Sequence, residues 1–255
     1  MTTGSFEMTE AYLQILYEDD ALIAINKPTG MFVHRSAADR SETSFVLQLV
    51  RDKVGAFVYP VHRLDRATSG IVLLAKTTEV AAILSQMFAN RLIAKTYRTL
   101  VRGHCDESGV VDIPLISARG RDKPEGHPFR AAQEAVTEFN MLTRYEIPMV
   151  SDRYPTTRCA LLEVRPVTGR YHQIRRHFNY ISHPVIGDTS HGDTRQNRFF
   201  SSQFGCDRLM LAAISVKFPH PLNQADVHIE CRTGDVFEAV LHNLERWRCD
   251  NHRAE

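Results

Sequence analysis

Short apolar runs broken by turn residues fill the first hundred positions. Residues 12–17 alternate in places and predict a strand. Glu18-Asp19-Asp20 reads as a turn, and Ala21 to Ile25 is apolar throughout, the mark of a buried strand. Asn26-Lys27-Pro28-Thr29-Gly30 then forces a turn through its Pro and Gly. Between Thr43 and Val54, Phe45, Val46, Leu49 and Val50 recur at helical spacing behind a Ser or Thr cap. Ile71 to Ala75 is a second buried strand. From a cap at Thr77 or Thr78 to Ile93, the stripe Val80, Ile83, Leu84, Met87, Phe88 and Leu92 predicts a helix.

Lys95 to Arg102 alternates as a strand and stops at Gly103. Residues 117–130 lose all periodicity. Their Gly, Pro and cationic residues (Arg119, Arg121, Lys123, Arg130) predict a basic loop able to touch phosphates. Strands are expected over 134–145 and 157–167, a helix from Tyr171 to Ile181, and a polar loop over 183–198. Late strands follow at Leu209–Ser215 and Asp226–Cys231, with a closing helix from Asp235 to Trp247. Many strands with few helices between them, and connections too short for parallel crossovers, predict an α+β protein built on a mostly antiparallel mixed sheet flanked by helices. One domain over residues 11–248 is expected, between a flexible 1–10 and a tail at 249–255. No accessory RNA-binding module is expected.

Composition narrows the function classes. At 255 residues, 43% hydrophobic and 24% charged, the chain is ordinary for a globular protein. No apolar stretch approaches the roughly 20 residues that span a bilayer, and the first ten residues lack the features of a secretory signal. Five scattered cysteines without a Cys-x-x-Cys suit a reduced, cytoplasmic protein. A net charge of +1 argues against a passive nucleic-acid coat and leaves local basic patches open.

One stretch carries candidate chemistry: His62-Arg63-Leu64-Asp65-Arg66-Ala67-Thr68-Ser69-Gly70, between the run ending at Val61 and the strand starting at Ile71. An acid set between Arg63 and Arg66 favours its ionised form, and an ionised Asp serves as nucleophile or base. A surface ion pair would account for the same residues. A kinase His-Arg-Asp loop fits worse: no Asp-Phe-Gly or glycine-rich loop occurs. His183, Asp188, His191 and Asp193 cluster without a recognised ligand spacing, so no metal site is expected. Neither a P-loop nor a dinucleotide fingerprint is present.

His-Arg-Leu-Asp followed after two residues by Thr-Ser-Gly resembles the catalytic motif of the RluA-type pseudouridine synthases. Four further pieces match that family in its order: Asn26-Lys-Pro-Thr-Gly30, Lys95-x-Tyr97, Gly169-Arg-Tyr-His-Gln-Ile-Arg175, and His183-Pro-x-x-Gly187-Asp188. The resemblance implies the pseudouridine synthase fold with an active-site cleft across the sheet, and conversion of uridine to pseudouridine without cofactor or metal. It implies Asp65 as the reacting carboxylate, Arg175 as its ion-pair partner, and Tyr97 against the uracil. Arg63 would fill the gap left by a flipped nucleotide. Arg66, Thr68, Arg170, His172 and Gln173 would line the substrate. A narrower resemblance, in Arg153-Tyr-Pro-Thr-Thr-Arg158 and in Gly187 to Arg198, points to members that modify uridine 65 in the T-stem region of tRNA. It places Arg153, Arg158, Arg195 and Arg198 on the RNA. The implied partner is tRNA, acted on by a monomer with no protein partner. A ribosomal RNA synthase of the same type is the alternative, and a non-catalytic RNA-binding protein the second.

Overall fold

The structure is a computed structural model and describes residues 13–34, 45–116 and 131–249. The chain forms two compact units. The first comprises residues up to Tyr97 together with Leu211–Asp235. The second comprises Arg98–Met210 and the residues from Val236.

In the first unit β1 (Gln14–Glu18) and β2 (Leu22–Lys27) form a hairpin. Asp19 closes its turn by accepting the Ala21 and Leu22 N–H groups on Oδ1. Helix α1 (Val46–Val54) and the two-residue strand β3 (Tyr59–Pro60) lead to β4 (Ser69–Ala75), which pairs antiparallel with β2 and β3. Helix α2 (Thr78–Ala89) and the start of β5 (Ala94–Arg102) follow. Strand β9 (Leu211–Pro219) lies parallel to β4 and antiparallel to β10 (Asp226–Glu230). β4 is buried along its whole length, which explains its unbroken apolar run. It divides two apolar clusters: Leu73 and Ile71 pack with α2, and Val72 and Leu74 pack with α1.

The second unit holds the rest of β5, then β6 (Ser108–Asp112), β7 (Val136–Ile147) and β8 (Thr157–Pro166), with β6–β7 and β7–β8 antiparallel. Helices α3 (Gln173–Tyr180), α4 (Thr194–Phe204) and α5 (Asp235–Leu244) complete it, the last starting at the boundary residue and running into a 3-10 turn at Glu245–Trp247. The expected α+β architecture with mainly antiparallel pairing is present.

Several boundaries differ from the expectation. The loop expected over 183–198 gives way to α4 at Thr194. Asp193 caps it, accepting the Arg195 and Gln196 N–H groups, and Phe199 and Phe200 are buried. α1 begins after Phe45, with no side-chain cap. α2 stops at Ala89 because Arg91 takes a left-handed φ of 61°, and Ile83 (38% exposed) and Leu92 (53%) of the expected stripe face outward. β6 was absent from the sequence reading. Residues 117–130, expected as a basic loop, and residues 1–10, expected to be flexible, lie outside the described residues.

Candidate active site

The loop between β3 and β4 is anchored at four points. Leu64 is buried in the cluster of Val33, Val46 and Val58, so its neighbours Arg63 and Asp65 are turned away from that core. Arg63 is exposed and Asp65 half-buried. The Thr68 N–H donates to the Asp65 carbonyl at 3.1 Å, closing a turn, and the Thr68 side chain is buried. The turn after β2 braces the loop from beside it. Thr29 Oγ1 donates to the Ala67 carbonyl at 2.7 Å, and the Gly30 N–H donates to the Arg66 carbonyl at 2.8 Å. Lys27, fully buried, spends its ammonium on the carbonyls of Pro28 (2.8 Å), Met31 (2.7 Å) and Arg66 (3.1 Å). Three backbone acceptors make a buried charge tolerable. Arg66 turns back to this turn: its Nε donates to the Gly30 carbonyl at 2.9 Å and its guanidinium covers the Phe32 ring.

Gly70 ends the motif for a steric reason. Its φ is +109°, and a Cβ there would lie 2.0 Å from the Ala213 carbonyl oxygen, at the point where β4 pairs with β9. Only glycine permits that approach. His62 opens the motif as a structural residue. Its Nε2 accepts the Leu73 N–H at 2.9 Å and its ring lies 4.6 Å from that of Phe88. Burial, and then the Lys95 charge, hold its pKa down to about 3, so the imidazole stays neutral and keeps accepting.

Tyr97, on β5, packs on the cluster that holds Leu64. Burial, and then the negative charge of Asp65, push its phenol well above the usual value. The phenol therefore keeps its proton, and Tyr97 is an O–H donor at any physiological pH. A carboxylate on a braced loop beside a neutral phenol can act as base or nucleophile toward a group laid on the ring.

In the second unit the Gly169 to Arg175 motif builds a polar knot. Gln173 uses its whole amide: Oε1 accepts from Thr168 Oγ1 (2.7 Å) and the Arg170 N–H (2.9 Å), and Nε2 donates to the Val136 carbonyl (2.9 Å) and Thr137 Oγ1 (3.0 Å). His172 has a left-handed φ of 52°, stacks on Tyr171 at 3.7 Å and meets His191 at 2.9 Å. Burial first, then Arg175 and His191, hold its pKa down to about 3. Arg170 Nε donates to the Glu134 carbonyl at 2.9 Å. Arg175 is buried and donates Nε and Nη2 to Asp188 at 2.7 and 2.8 Å. Burial alone would raise the Asp188 pKa. The Arg175 bonds and the His191 and Ser190 N–H groups outweigh it and leave it low. Asn197 clamps the same turn, accepting the Gly187 N–H (2.7 Å) and donating to the Asp188 carbonyl (2.8 Å).

The four residues of the suspected metal cluster have separate tasks. Asp188 binds Arg175, His191 meets His172, Asp193 caps α4, and His183 Nδ1 faces the Arg102 carbonyl at 2.8 Å. Elsewhere, ligand atoms of His104, Glu146 and Cys249 lie within 4.8 Å of one another. There, Glu146 Oε1 already accepts from Arg158 and Thr156.

Two of the four arginines expected on the RNA carry carboxylate partners: Arg158 pairs with Glu146 at 3.0 Å and Arg195 with Asp152. Arg153 lies over the Tyr154 ring at 5.0 Å, and Arg198 is exposed on α4. Lys27, His62, Asp188 and Asn197 are structural supports to which the sequence reading gave no individual role. A charged or amide residue inside each matched motif was the available signal.

A braced Asp loop and a Gly-Arg-x-His-Gln-Ile-Arg turn are what the family resemblance requires of an RNA-modifying isomerase. The family model described as RNA pseudouridylate synthase matches residues 21–180, and the chain belongs to that family. Among curated relatives, the tRNA pseudouridine synthase C of Pasteurella multocida is 46% identical over 236 residues, covering 92% of this chain and 97% of that protein. The protein of the same name from Pectobacterium carotovorum is 45% identical over 230 residues, 90% of this chain, which spans 61% of that protein's length. Of solved structures, human RNA Pseudouridylate Synthase Domain Containing 4 superposes with a TM-score of 0.69 at 25% identity, covering 90% of this chain and 92% of that one.

Proposed function

We propose that this protein converts uridine to pseudouridine in tRNA, with Asp65 as the reacting carboxylate. Relatives named tRNA pseudouridine synthase C, matched over about nine-tenths of the chain, support the substrate class. The observation that carries the site is the loop of Asp65, braced by Lys27, Thr29 and Leu64, with Tyr97 packed on the same apolar cluster as Leu64.

The reaction is an isomerisation. The C1′–N1 bond breaks, the base turns, C1′ bonds to C5, the C5 proton leaves and N1 gains one. Asp65 either attacks C1′ or first removes the C2′ proton. In both cases it must be ionised and close to the sugar. Tyr97 offers the ring on which the flipped uracil lies and a hydroxyl that donates. Extrusion of the nucleotide costs a few kcal/mol, offset by such stacking. Arg63, exposed next to Asp65 in sequence, would enter the vacated stack, as the family resemblance implies. Arg175 as the ion-pair partner of Asp65 rests on the family resemblance, with Asp188 fixing its Nε–Nη2 edge. The narrower resemblance of residues 153–158 and 187–198 supports uridine 65 as the target of this reading.

The test is mapping of pseudouridine at nucleotide resolution after incubation with unmodified tRNA transcripts and ribosomal RNA fragments. Wild type is expected to modify the T arm, and Asp65→Asn to make no product while still binding RNA. Product in ribosomal fragments with none in tRNA would remove the substrate claim. Turnover by Asp65→Asn within tenfold of wild type would remove the carboxylate.

A further inference from the structure

The two segments that carry the narrower resemblance meet around one cavity of about 360 Å³ in the second unit. Tyr154, Pro155 and Arg158 come from the loop before β8, and Gln196 from the first turn of α4. The charges there are balanced. Arg102 bonds Asp193 at 2.6 Å, Arg158 bonds Glu146 at 3.0 Å, and Arg195 bonds Asp152. The start of α4 would attract an anion if open, but Asp193 accepts its Arg195 and Gln196 N–H groups. A phosphate entering this cavity meets lining arginines, Arg102 and Arg158, that are each bonded to a carboxylate.

What the cavity does offer is a ring and acceptors. Tyr154 is 56% exposed, and the Arg153 guanidinium stacks on it at 5.0 Å. Gln196 is only 7% exposed. Its Nε2 donates to Ser151 Oγ at 2.7 Å, while its buried Oε1 has no hydrogen-bond partner among the described residues. Asp152 and Glu146 line the same cavity; Oδ1 and Oε1 are taken by Arg195 and by Arg158 and Thr156, which leaves Oδ2 and Oε2 as the further acceptors. An aromatic platform with edge-reading polar groups is how unstacked bases of RNA are held. The volume falls within the range of about 300–1,000 Å³ usual for small-ligand sites.

We infer that this cavity receives a second base of the RNA substrate, distinct from the uridine that reacts, stacked on Tyr154 and read through its N–H donors. Guanine suits the acceptor-rich wall because N1–H and the 2-amino group lie on one edge. The inference rests on the tRNA reading and adds to it a site that selects the RNA without touching the reacting atoms.

The experiment is steady-state pseudouridine formation on a tRNA transcript by wild type, Tyr154→Ala and Tyr154→Phe, each checked for an unchanged melting curve. Tyr154→Ala is expected to raise KM roughly 5- to 100-fold, the range of one lost base–aromatic stack, with kcat held. Tyr154→Phe keeps the ring and is expected to stay within about twofold of wild type. Transcripts in which unpaired guanosines are replaced one at a time by inosine, which lacks the 2-amino group, are expected to include one that raises KM for wild type and not for Tyr154→Ala. An unchanged KM for Tyr154→Ala would overturn the site, and is also the result if the cavity serves a protein. Equal loss in the Phe variant would overturn stacking, and indifference to every inosine would overturn guanine. If wild type modifies no tRNA, it is the tRNA reading that fails, and the wild-type reaction alone reports that.

Discussion

Lys27→Met removes the buried ammonium from under the Asp65 loop while keeping its length and volume. Three carbonyls share that ammonium. The Arg66 carbonyl keeps the Gly30 N–H as donor, so the acceptors that lose their donor are those of Pro28 and Met31. A buried carbonyl stripped of its partner costs about 1–3 kcal/mol, giving about 2–6 kcal/mol for two. Removing a buried charge returns part of that, because exchanging an ion for a well-packed apolar group is often neutral or favourable. Methionine also adapts to irregular space. A net loss of about 2 kcal/mol is expected. It should appear as a lower urea midpoint at constant m-value. The tether from Nζ to the Arg66 carbonyl, one residue past Asp65, is lost as well. A misplacement of about 1 Å at a reacting group costs on the order of 10²-fold, so kcat should fall at least tenfold. A variant within about 0.5 kcal/mol of wild type and with full kcat would show that the turn after β2 does not support the loop.

The other expectations are narrower. Gly70→Ala places a methyl against the Ala213 carbonyl at a positive φ and should lose at least about 2–3 kcal/mol or fail to fold, checked by melting temperature and soluble yield. Asn197→Ala removes an acceptor from Gly187 and a donor from Asp188; roughly 2 kcal/mol should go, read by urea denaturation, with Asn197→Asp recovering only the acceptor half. His62 and His172 have folded pKa values near 3, below the ordinary 6.5, so their neutral forms contribute stability that is complete above pH 6.5 and is lost as pH falls toward 3. Urea midpoints from pH 7 to pH 4.5 should therefore decline, by up to about 1.4 kcal/mol per pH unit for each histidine, and His62→Gln should flatten the slope; a midpoint flat over that range would contradict the assignment.

Periodicity reached the elements whose environment is uniform along their length. β2 and β4 read as buried because they are covered on both faces, β7 because it largely alternates, and β8 because its middle, Cys159 to Leu162, is apolar and buried throughout. It failed where local chemistry decides. α4 starts at a capping Asp inside a stretch so rich in Gly, Asp and Arg that no stripe shows before Phe199 and Phe200. α2 ends not at the last apolar residue of its stripe but at Asn90, ahead of a left-handed Arg91 that no hydrophobic pattern encodes.

The site divides in the same way. Asp65 and Tyr97 were legible because two spaced motifs named them, and the phenol that Asp65 perturbs ties them physically. The division of labour within the motifs was not legible, since residue type fixes what a side chain can bond to but not which neighbour the fold supplies. Arg66 reads as a cation for Asp65, yet its Nε meets the Gly30 carbonyl. Gln173 reads as a substrate contact, yet all four hydrogen-bonding positions of its amide are used inside the second unit. Arg158 and Arg195 read as phosphate ligands, yet each has a carboxylate within bonding distance. In a chain of 31 basic and 30 acidic residues, that pairing is the expected fate of an arginine. If the chain binds RNA, affinity is expected from cations that have no carboxylate partner among the described residues, exposed Arg63, Arg153 and Arg198 among them, and from shape. The salt dependence of binding follows directly. Each phosphate neutralised contributes about 0.9 to the slope of log K against log salt on a duplex that behaves like B-DNA, so a slope steeper than about 5 would mean that paired arginines abandon their carboxylates for phosphates on binding.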